Sequence, residues 1–289
     1  NDDAHRTAHD LHRLGVEIAA VIDSRPEAPT SDHFEVLPAS EVVNTHGRLG
    51  IKSIDVKTPQ GLRQMQVSGL GVSGGWNPNI HLTCHQRGRP QWDPALSAFV
   101  PSADLPKSLL VAGAANGKMT TAAAMQDAVT MAMKIAKDLG HKPKSLKLPQ
   151  TSDESVSVTP FWYVTGTQRG WVDQQNDVTV KDIKLAHQEN FRSVEHLKRY
   201  TTLGMATDQG KTSNVLGLAI MAQTAGQSIP ETGTTIYRPP YSPTAIGVFA
   251  GRSRDKDFRP VRKTPSHKWA EEQGAVFVEV GMWYRAQWF

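Results

Sequence analysis

The sequence has a single cysteine, Cys84, among its 289 residues. One thiol cannot form an intramolecular disulfide, and it cannot supply a metal centre that needs four thiolate ligands. A chain so poor in cysteine fits a reducing compartment, and we expect a cytoplasmic location. The sequence also lacks any apolar run of the roughly 18 residues that a membrane-spanning helix needs. We therefore expect no association with a membrane.

A clustered basic stripe is missing as well. Lys and Arg number 32 against 28 Asp and Glu, and the net charge is only +4. A mild, dispersed charge excess does not predict a nucleic-acid partner. The fractions of hydrophobic (38%) and charged (21%) residues are those of a folded protein, and the length predicts about two domains. Asn1 stands where a complete chain has Met, so we expect an internal piece of a longer polypeptide.

The first 140 residues have the pattern of a nucleotide-binding α/β fold. Apolar side chains at helical spacing predict a helix over residues 4–14 that ends at Gly15, before a buried strand at 16–22 and Asp23. Helix, glycine, strand and acid form half of a dinucleotide-type βαβ unit. Residues 51–58 and 62–68 predict a hairpin. Further on we expect a strand at 108–112, a glycine-containing turn at 113–117 and a long helix at 120–139.

The composition changes after residue 140. Residues 141–160 are rich in proline and polar residues, as in a linker. Thr179, with Asp182 three residues later, predicts an imperfect capping box at the start of the next helix. The remaining predicted elements are helices at 180–190, 194–200, 214–225 and 267–273, strands at 276–280 and 283–289, and an extended segment at 238–243.

Two glycine motifs resemble nucleotide-binding loops without meeting their requirements. Residues 69–74 match G-x-G-x-x-G, but a turn follows where the fingerprint needs a helix, so we interpret them as a crossover between domains. Residues 204–212 resemble a Walker A loop with one residue too many and a helix-like segment before it. Residues 210–213 precede a helix, however, and could hold an anion through backbone N–H groups.

Several titratable groups have weak metal-like or catalytic spacing. We interpret His81, Cys84 and His85 as a polar strand end, because no fourth ligand is close in sequence. The three histidines His5, His9 and His12 lie on one helical face, and we expect that face to be solvated. Two candidate catalytic acids, Asp173 and Asp208, are more simply interpreted as loop residues beside helix starts. We assign no catalytic residue and no metal ligand.

Long motifs throughout the chain resemble the alpha subunit of heterotetrameric sarcosine oxidase. These motifs occur in the family's order at residues 72–78, 170–183, 192–214, 233–243 and 257–277. The resemblance implies an α/β dinucleotide-binding fold for residues 1–140, the C-terminal part of a flavoprotein-like module with two dinucleotide domains. After the linker at 141–160 it implies a small helical domain at 161–251, related to bacterioferritin-associated ferredoxin. Residues 252–289 would begin an aminomethyltransferase-like, folate-binding α+β domain.

The resemblance also marks a departure from iron–sulfur relatives of the helical domain. Those relatives hold a [2Fe–2S] cluster with four cysteines, and the matching positions here are Asp173, Gln175, Asp208 and Ser213. A cluster of this type is normally held by four thiolates. The helical domain is therefore expected to carry no cluster, in agreement with sarcosine oxidase and unlike the proline, opine and cyanide-forming dehydrogenases.

The family binds NAD in its first nucleotide domain, and position by position the contacts would fall on Ala114, Met119 and Thr121. Gly113 and Gly117 would permit close backbone approach, and the following helix offers its positive end. The nucleotide domain that includes residues 1–23 is vestigial in the family, so Asp23 is not expected to bind a ribose.

A second expected cofactor site involves FMN. The loop at 208–214 is expected to face FMN at the boundary with the beta subunit. Lys211, Thr212 and Ser213 are the residues expected to support its phosphate.

The implied activity is oxidation of sarcosine by a complex of alpha, beta, gamma and delta subunits. Hydride would pass to FAD on the beta subunit, then electrons to FMN and to O2, giving hydrogen peroxide. The other products would be glycine and either formaldehyde or, with tetrahydrofolate in the C-terminal domain, 5,10-methylenetetrahydrofolate. Two alternatives stay open: a subunit of a related amine, proline or opine dehydrogenase, or a non-catalytic scaffold.

Overall fold

A computed structural model describes residues 1–85, 87–152, 156–166, 169–239, 242–254 and 261–289. The described chain divides into two compact units, residues 1–241 and residues 242–289. Both units combine helices with short strands, so the fold is mixed α/β. Within the described ranges, no helix has the length and apolar character needed to cross a membrane.

The first unit holds most of the regular structure. Its helices are α1 (Asp2–Arg13), α2 (His81–Cys84), α3 (Thr121–Asp138), α4 (Val180–Gln188), α5 (Val194–Thr201), α6 (Asn214–Ala225) and α7 (Ile229–Thr232), with a 3₁₀ turn at Gly113–Asn116. Its strands are β1 (Val21–Ile22), β2 (Val36–Leu37), β3 (Glu41–His46), β4 (Ser53–Thr58), β5 (Gly61–Gln66), β6 (Gln91–Asp93), β7 (Ala98–Val100), β8 (Trp171–Asp173) and β9 (Val178–Thr179).

The N-terminal helix is confirmed, but the strand after it is much shorter than predicted. Gly15 ends α1 with a positive φ of 86°, a conformation that glycine adopts without strain. Only β1 forms where residues 16–22 predict a doubly buried strand, because the parallel ladder with β2 pairs just two residues of each strand. Val16 is 46% exposed, so the expectation of burial on both faces is wrong.

A buried ion-pair network joins α1 to the end of β1. His5 Nε2 lies 2.8 Å from Asp23 Oδ2, and the Arg25 guanidinium reaches both carboxylate oxygens. Arg25 also pairs with Asp2 at 2.7 Å. Burial alone would raise the pKa of Asp23, but hydrogen bonds from Arg25 and His5 hold it well below its usual range. Both oxygens of Asp23 are thus engaged within the protein.

The predicted solvated histidine face on α1 is wrong. His5 is buried against Asp23. His9 packs on the Phe34 ring at 4.8 Å between ring centroids, and His12 stacks on His33 at 5.0 Å. Helical spacing showed that the histidines share a face, but it could not show that the segment around Phe34 covers that face.

The central strands β3, β4 and β5 form an antiparallel sheet. Thr58 pairs with Gly61 at the turn, which confirms the hairpin predicted for 51–58 and 62–68. The glycine-rich segment at 69–80 contains no helix, as expected of a crossover. The three-residue strands β6 and β7 follow as a separate antiparallel pair.

The strand predicted at 108–112 does not form: Ser108 has a positive φ of 64°, which departs from extended backbone, and none of the five residues is buried. The helix predicted at 120–139 is confirmed as α3. Thr120 caps it by accepting a hydrogen bond from the Ala123 amide, and Gly140 follows with φ 82°. The linker range 141–160 has no helix or strand in its described residues.

The helical region contains a large hydrophobic cluster. Thr179 and Asp182 form the predicted capping box at the start of α4. The residues that pack together from β8, β9, α4, α5, the loop after α5, and α6 are Val172, Val178, Val180, Ile183, Ala186, Leu197, Leu203, Ile220 and Met221. Helices predicted at 180–190, 194–200 and 214–225 correspond to α4, α5 and α6 within two residues.

The second unit contains α8 (Ile246–Ala250), β10 (Arg262–Lys263), α9 (His267–Glu272), β11 (Val276–Val280) and β12 (Trp283–Trp288). The helix and the two strands predicted here are confirmed as α9, β11 and β12. β12 pairs antiparallel with β11 and parallel with β10. Part of the extended segment predicted at 238–243, and part of the motif at 257–277, lie outside the described residues.

We expect Asp23→Ala to lower the free energy of unfolding by about 3 kcal/mol, because it leaves the buried Arg25 guanidinium with only Asp2 as an ion-pair partner. The pKa of Asp23 is depressed in the folded state, so its contribution is complete above the unfolded-state pKa of about 4 and is lost at lower pH. Denaturant unfolding at pH 7 and pH 3 tests both points. Asp10→Ala, which removes an exposed i,i+3 pair with Arg13, is the control and should change the free energy by less than about 1 kcal/mol. Equal effects of the two substitutions would contradict the expectation.

Candidate functional site

The four positions that the family resemblance aligns with cluster ligands, Asp173, Gln175, Asp208 and Ser213, are connected by hydrogen bonds in the structure. Ser213 Oγ lies 3.4 Å from Asp173 Oδ2. The Gln175 side-chain amide reaches Thr207 Oγ1 at 2.9 Å, and with the amide rotated its nitrogen donates to Asp208 Oδ1 at 3.3 Å. Residues more than 30 positions apart in sequence therefore meet at one place. We call these four residues the aligned-ligand cluster.

Asp173 is the centre of the aligned-ligand cluster. Its Oδ1 accepts hydrogen bonds from the backbone amides of Gln175 and Asn176, at 2.9 and 3.1 Å. Its Oδ2 accepts from the Gly204 amide at 2.8 Å and from Asn176 Nδ2 at 3.1 Å. Burial would raise the pKa of this carboxyl, but these amide donors lower it below its usual value. The carboxylate therefore holds the turn after β8 against the loop before α6.

Sequence reasoning misplaced Asp173. It is the last residue of β8 and only 2% exposed, so the interpretation as a loop residue beside a helix start is wrong. The local signal was the turn that follows, because aspartate commonly accepts from amides two and three residues ahead. The long-range bonds to Gly204 and Ser213 had no local signal.

The loop before α6 packs around Asn214. Gly204 and Gly210 both have positive φ, and a Cβ on either would lie within 2.5 Å of the Asn214 side chain. Asn214 Nδ2 donates to Thr235 Oγ1 at 3.1 Å. These glycines serve close packing on an asparagine, which accounts for the resemblance to a phosphate-binding loop at 204–212.

Most amides at the predicted anion site are already bonded. The Gly210 amide donates to Asp208 Oδ1 at 2.8 Å, and the amides of Lys211, Ser213 and Asn214 donate to carbonyl oxygens of the same loop. Ser213 is 1% exposed, so its hydroxyl does not fit a phosphate from outside. The Thr212 side chain is exposed, whereas Lys211 is half-buried and its Nζ donates to the Asp208 carbonyl oxygen at 3.4 Å.

His81 links this loop to the segment before β6. Its Nε2 lies 3.3 Å from the Gln209 carbonyl oxygen, and its ring lies 4.0 Å from that of Tyr237. Burial lowers the pKa of His81 to about 4, so the ring is neutral at physiological pH. His81 and Cys84 belong to a one-turn helix, which corrects the predicted strand end.

Within the described residues, no group of three or more His, Cys, Asp or Glu side chains is arranged to hold a metal ion.

The second candidate site is the turn between residue 112 and α3. Gly113 and Gly117 have φ of 70° and 75°, and a Cβ on Gly117 would lie 3.0 Å from Val100 Cγ1. Asp127 Oδ2 accepts from the Gly113 amide at 2.9 Å and from Asn116 Nδ2 at 3.1 Å. Asp127, which sequence reasoning missed, thus holds residues 113–117 against the second turn of helix α3.

The three residues expected to contact NAD surround the start of α3. Ala114 and Thr121 are exposed, whereas Met119 is half-buried. Met119 lines a small cavity together with Trp76 and Leu96. Small exposed side chains at the positive end of an 18-residue helix fit the approach of a dinucleotide.

Curated proteins similar to this chain include two alpha subunits of sarcosine oxidase. The chain is 40% identical over 294 residues to sarcosine oxidase subunit alpha of Rhizobium meliloti (strain 1021), covering 100% of this chain and 30% of that protein. It is 34% identical over 315 residues to sarcosine oxidase subunit alpha of Corynebacterium sp. (strain P-1), with 100% and 32% covered. The chain spans less than a third of the length of these curated relatives.

A solved structure shares the fold. The crystal structure of L-proline dehydrogenase from P. horikoshii matches with a TM-score of 0.57 and 16% identity, over 86% of this chain and 48% of that one. Residues 167–252, which include the aligned-ligand cluster, match the sarcosine oxidase A3 domain. The chain is therefore homologous to one region of the alpha subunit of sarcosine oxidase, an oxidoreductase subunit.

Proposed function

We propose that this chain is part of the alpha subunit of a sarcosine oxidase that works with beta, gamma and delta subunits. The complex would oxidise sarcosine to glycine with O2, releasing hydrogen peroxide and either formaldehyde or 5,10-methylenetetrahydrofolate. The observation that carries the proposal is the aligned-ligand cluster: four residues at the cluster-ligand positions meet in space, and none is a thiolate. The identity of 40% to a sarcosine oxidase alpha subunit supports the same assignment.

The proposal divides the chain into three domain segments and one linker. Residues 1–140 would be the rear of a flavoprotein-like dinucleotide-binding module, and 141–160 the linker. Residues 161–251 would be a cluster-free helical domain, and 252–289 the start of a folate-binding, aminomethyltransferase-like domain. FAD would lie on the beta subunit and tetrahydrofolate in the C-terminal domain, so this chain contributes no catalytic residue that we can name.

The proposed NAD site is the turn at the start of α3. Ala114, Met119 and Thr121 would contact the dinucleotide, and Gly113 and Gly117 would keep the backbone close to it. Because the Gly113 amide is bonded to Asp127, that N–H is not available to a phosphate. The role of Gly113 would be to shape the turn.

The proposed FMN contact involves fewer residues than the sequence predicted. Lys211, which is half-buried, and Thr212, which is exposed, would support the phosphate at the alpha–beta boundary. Ser213 does not fit this role, because its hydroxyl is buried and donates a hydrogen bond to Asp173.

The proposed activity is tested on the full-length alpha subunit assembled with its partner subunits. We expect sarcosine-dependent O2 consumption to exceed that with proline or an opine by at least about tenfold. The same preparation should contain no stoichiometric iron or acid-labile sulfide. Faster oxidation of proline would favour a related dehydrogenase, and stoichiometric iron with sulfide would contradict the cluster-free domain.

We expect Asp173→Asn to lower the free energy of unfolding by about 2–4 kcal/mol. The new amide nitrogen would face N–H donors, so at least one buried donor would lose its acceptor. Each unsatisfied buried donor costs about 1–3 kcal/mol. Asp177→Asn is the matched control, because Asp177 is exposed in the same turn and asparagine tolerates its positive φ of 55°. Denaturant unfolding of both variants provides the measurement, and equal stability of Asp173→Asn and the parent would contradict a supporting role.

We expect Lys211→Ala to reduce the FMN retained by the assembled complex at least about fivefold, because one cation near a phosphate is removed. Lys211→Arg keeps the charge and should retain FMN. The measurement is flavin content after extensive dialysis. Unchanged FMN content in Lys211→Ala would reject the contact without bearing on sarcosine oxidation.

A further inference from the structure

The motif at residues 72–78 carries a tryptophan with most of its surface accessible. Trp76 is 71% exposed, although tryptophan is usually largely buried in folded proteins. Its Nε1 donates a hydrogen bond to Asp3 Oδ2 at 2.6 Å. The indole is therefore held at its N–H edge, and most of its surface remains free for contact.

The loop that carries Trp76 is anchored on the start of α1. Ser73 Oγ donates to Asn1 Oδ1 at 2.9 Å. Gly75 has a φ of 92°, and a Cβ there would lie 3.3 Å from Asn1 Nδ2. Two hydrogen bonds and a left-handed glycine thus fix the position of the ring in a segment that has no helix or strand.

Trp76 and Met119 line the same cavity, together with Leu96 and Val158. The cavity has a volume of about 10 Å³, which is room for no more than one water molecule. A larger ligand that contacts Met119 would therefore lie across the mouth of the cavity, next to the exposed indole.

We propose that Trp76 is a stacking platform for a heteroaromatic ring of the dinucleotide that contacts Met119. This inference rests on the proposed function, because the NAD contact of Met119 is part of it. NAD carries two flat rings, adenine and nicotinamide, and an indole offers either of them a large, pre-positioned aromatic face. The hydrogen bond to Asp3 would reduce the conformational entropy that the side chain loses on stacking.

The test is the dissociation constant of NAD for the full-length alpha subunit in its assembled complex, after removal of bound nucleotide. We expect Trp76→Ala to raise the dissociation constant at least about fivefold, since removal of an aromatic side chain that stacks on a base typically weakens binding by this factor or more. Trp76→Phe keeps an aromatic face and should stay within about threefold of the parent. Trp171→Ala is the control, because Trp171 is 44% exposed in the same unit and lines a different cavity, and it should change nothing.

Two smaller probes identify the ring. If adenine stacks, Trp76→Ala weakens AMP and leaves nicotinamide mononucleotide unaffected; if nicotinamide stacks, the reverse holds. Either result supports the platform.

Three outcomes overturn it. An unchanged NAD dissociation constant in Trp76→Ala rejects the platform and leaves the proposed NAD site standing. Equal losses in Trp76→Phe and Trp76→Ala reject stacking as the interaction. Failure of the parent complex to bind NAD rejects the NAD site and the platform together. The midpoint of thermal unfolding without NAD, measured for every variant, shows whether Trp76 instead packs against another part of the protein.

Discussion

One carboxylate holds the helical region together. Asp173 accepts five hydrogen bonds, from two amides of its own turn, from the Asn176 side chain, from the Gly204 amide and from Ser213. A buried carboxylate is stable only when such donors replace the water it has lost. The same bonds join the turn after β8 to the loop before α6. The four residues of the aligned-ligand cluster are thus held near one another by hydrogen bonds.

A second constraint connects this loop to a distant part of the chain. Ile80, Cys84 and Phe99 pack in one hydrophobic cluster with Val194, Leu218 and Tyr237, so α2 and β7 share a core with α5 and α6. His81 adds a polar contact to the Gln209 carbonyl. Gln209 itself has a positive φ of 54°, an unfavourable conformation that tertiary contacts must hold. The loop before α6 is therefore shaped from two sides, by Asp173 and by the segment around His81.

How much of this could be predicted depended on the range of the interactions. Local signals succeeded: Thr120, Thr179 and the glycines after α1, α3 and α6 set helix limits that the structure reproduces closely. Predictions that depended on a distant segment of the chain failed for the strands at 16–22 and 108–112. An apolar run in the sequence could not show how many of its residues would pair with a neighbouring strand. His5 and Asp173 were misjudged for the same reason, because their partners lie 18 to 40 residues away. The meeting of the four aligned residues was accessible only through family resemblance, since no local pattern relates residue 173 to residue 213.

The chemistry of the helical region follows from these contacts. Its aligned positions carry carboxylates, an amide and a hydroxyl, none of which changes oxidation state under physiological conditions. The chain's single thiol, Cys84, lies in the other hydrophobic cluster, where burial raises its pKa and disfavours the reactive thiolate. On the proposed function, this region therefore acts through shape and charge. The amides of Gly210, Lys211, Ser213 and Asn214 are bonded within the loop, so under the same proposal the loop would act through the side chains of Lys211 and Thr212. Under the proposed function, a loop held from two sides by buried hydrogen bonds would present the side chains of Lys211 and Thr212 in a fixed position to the partner that binds there.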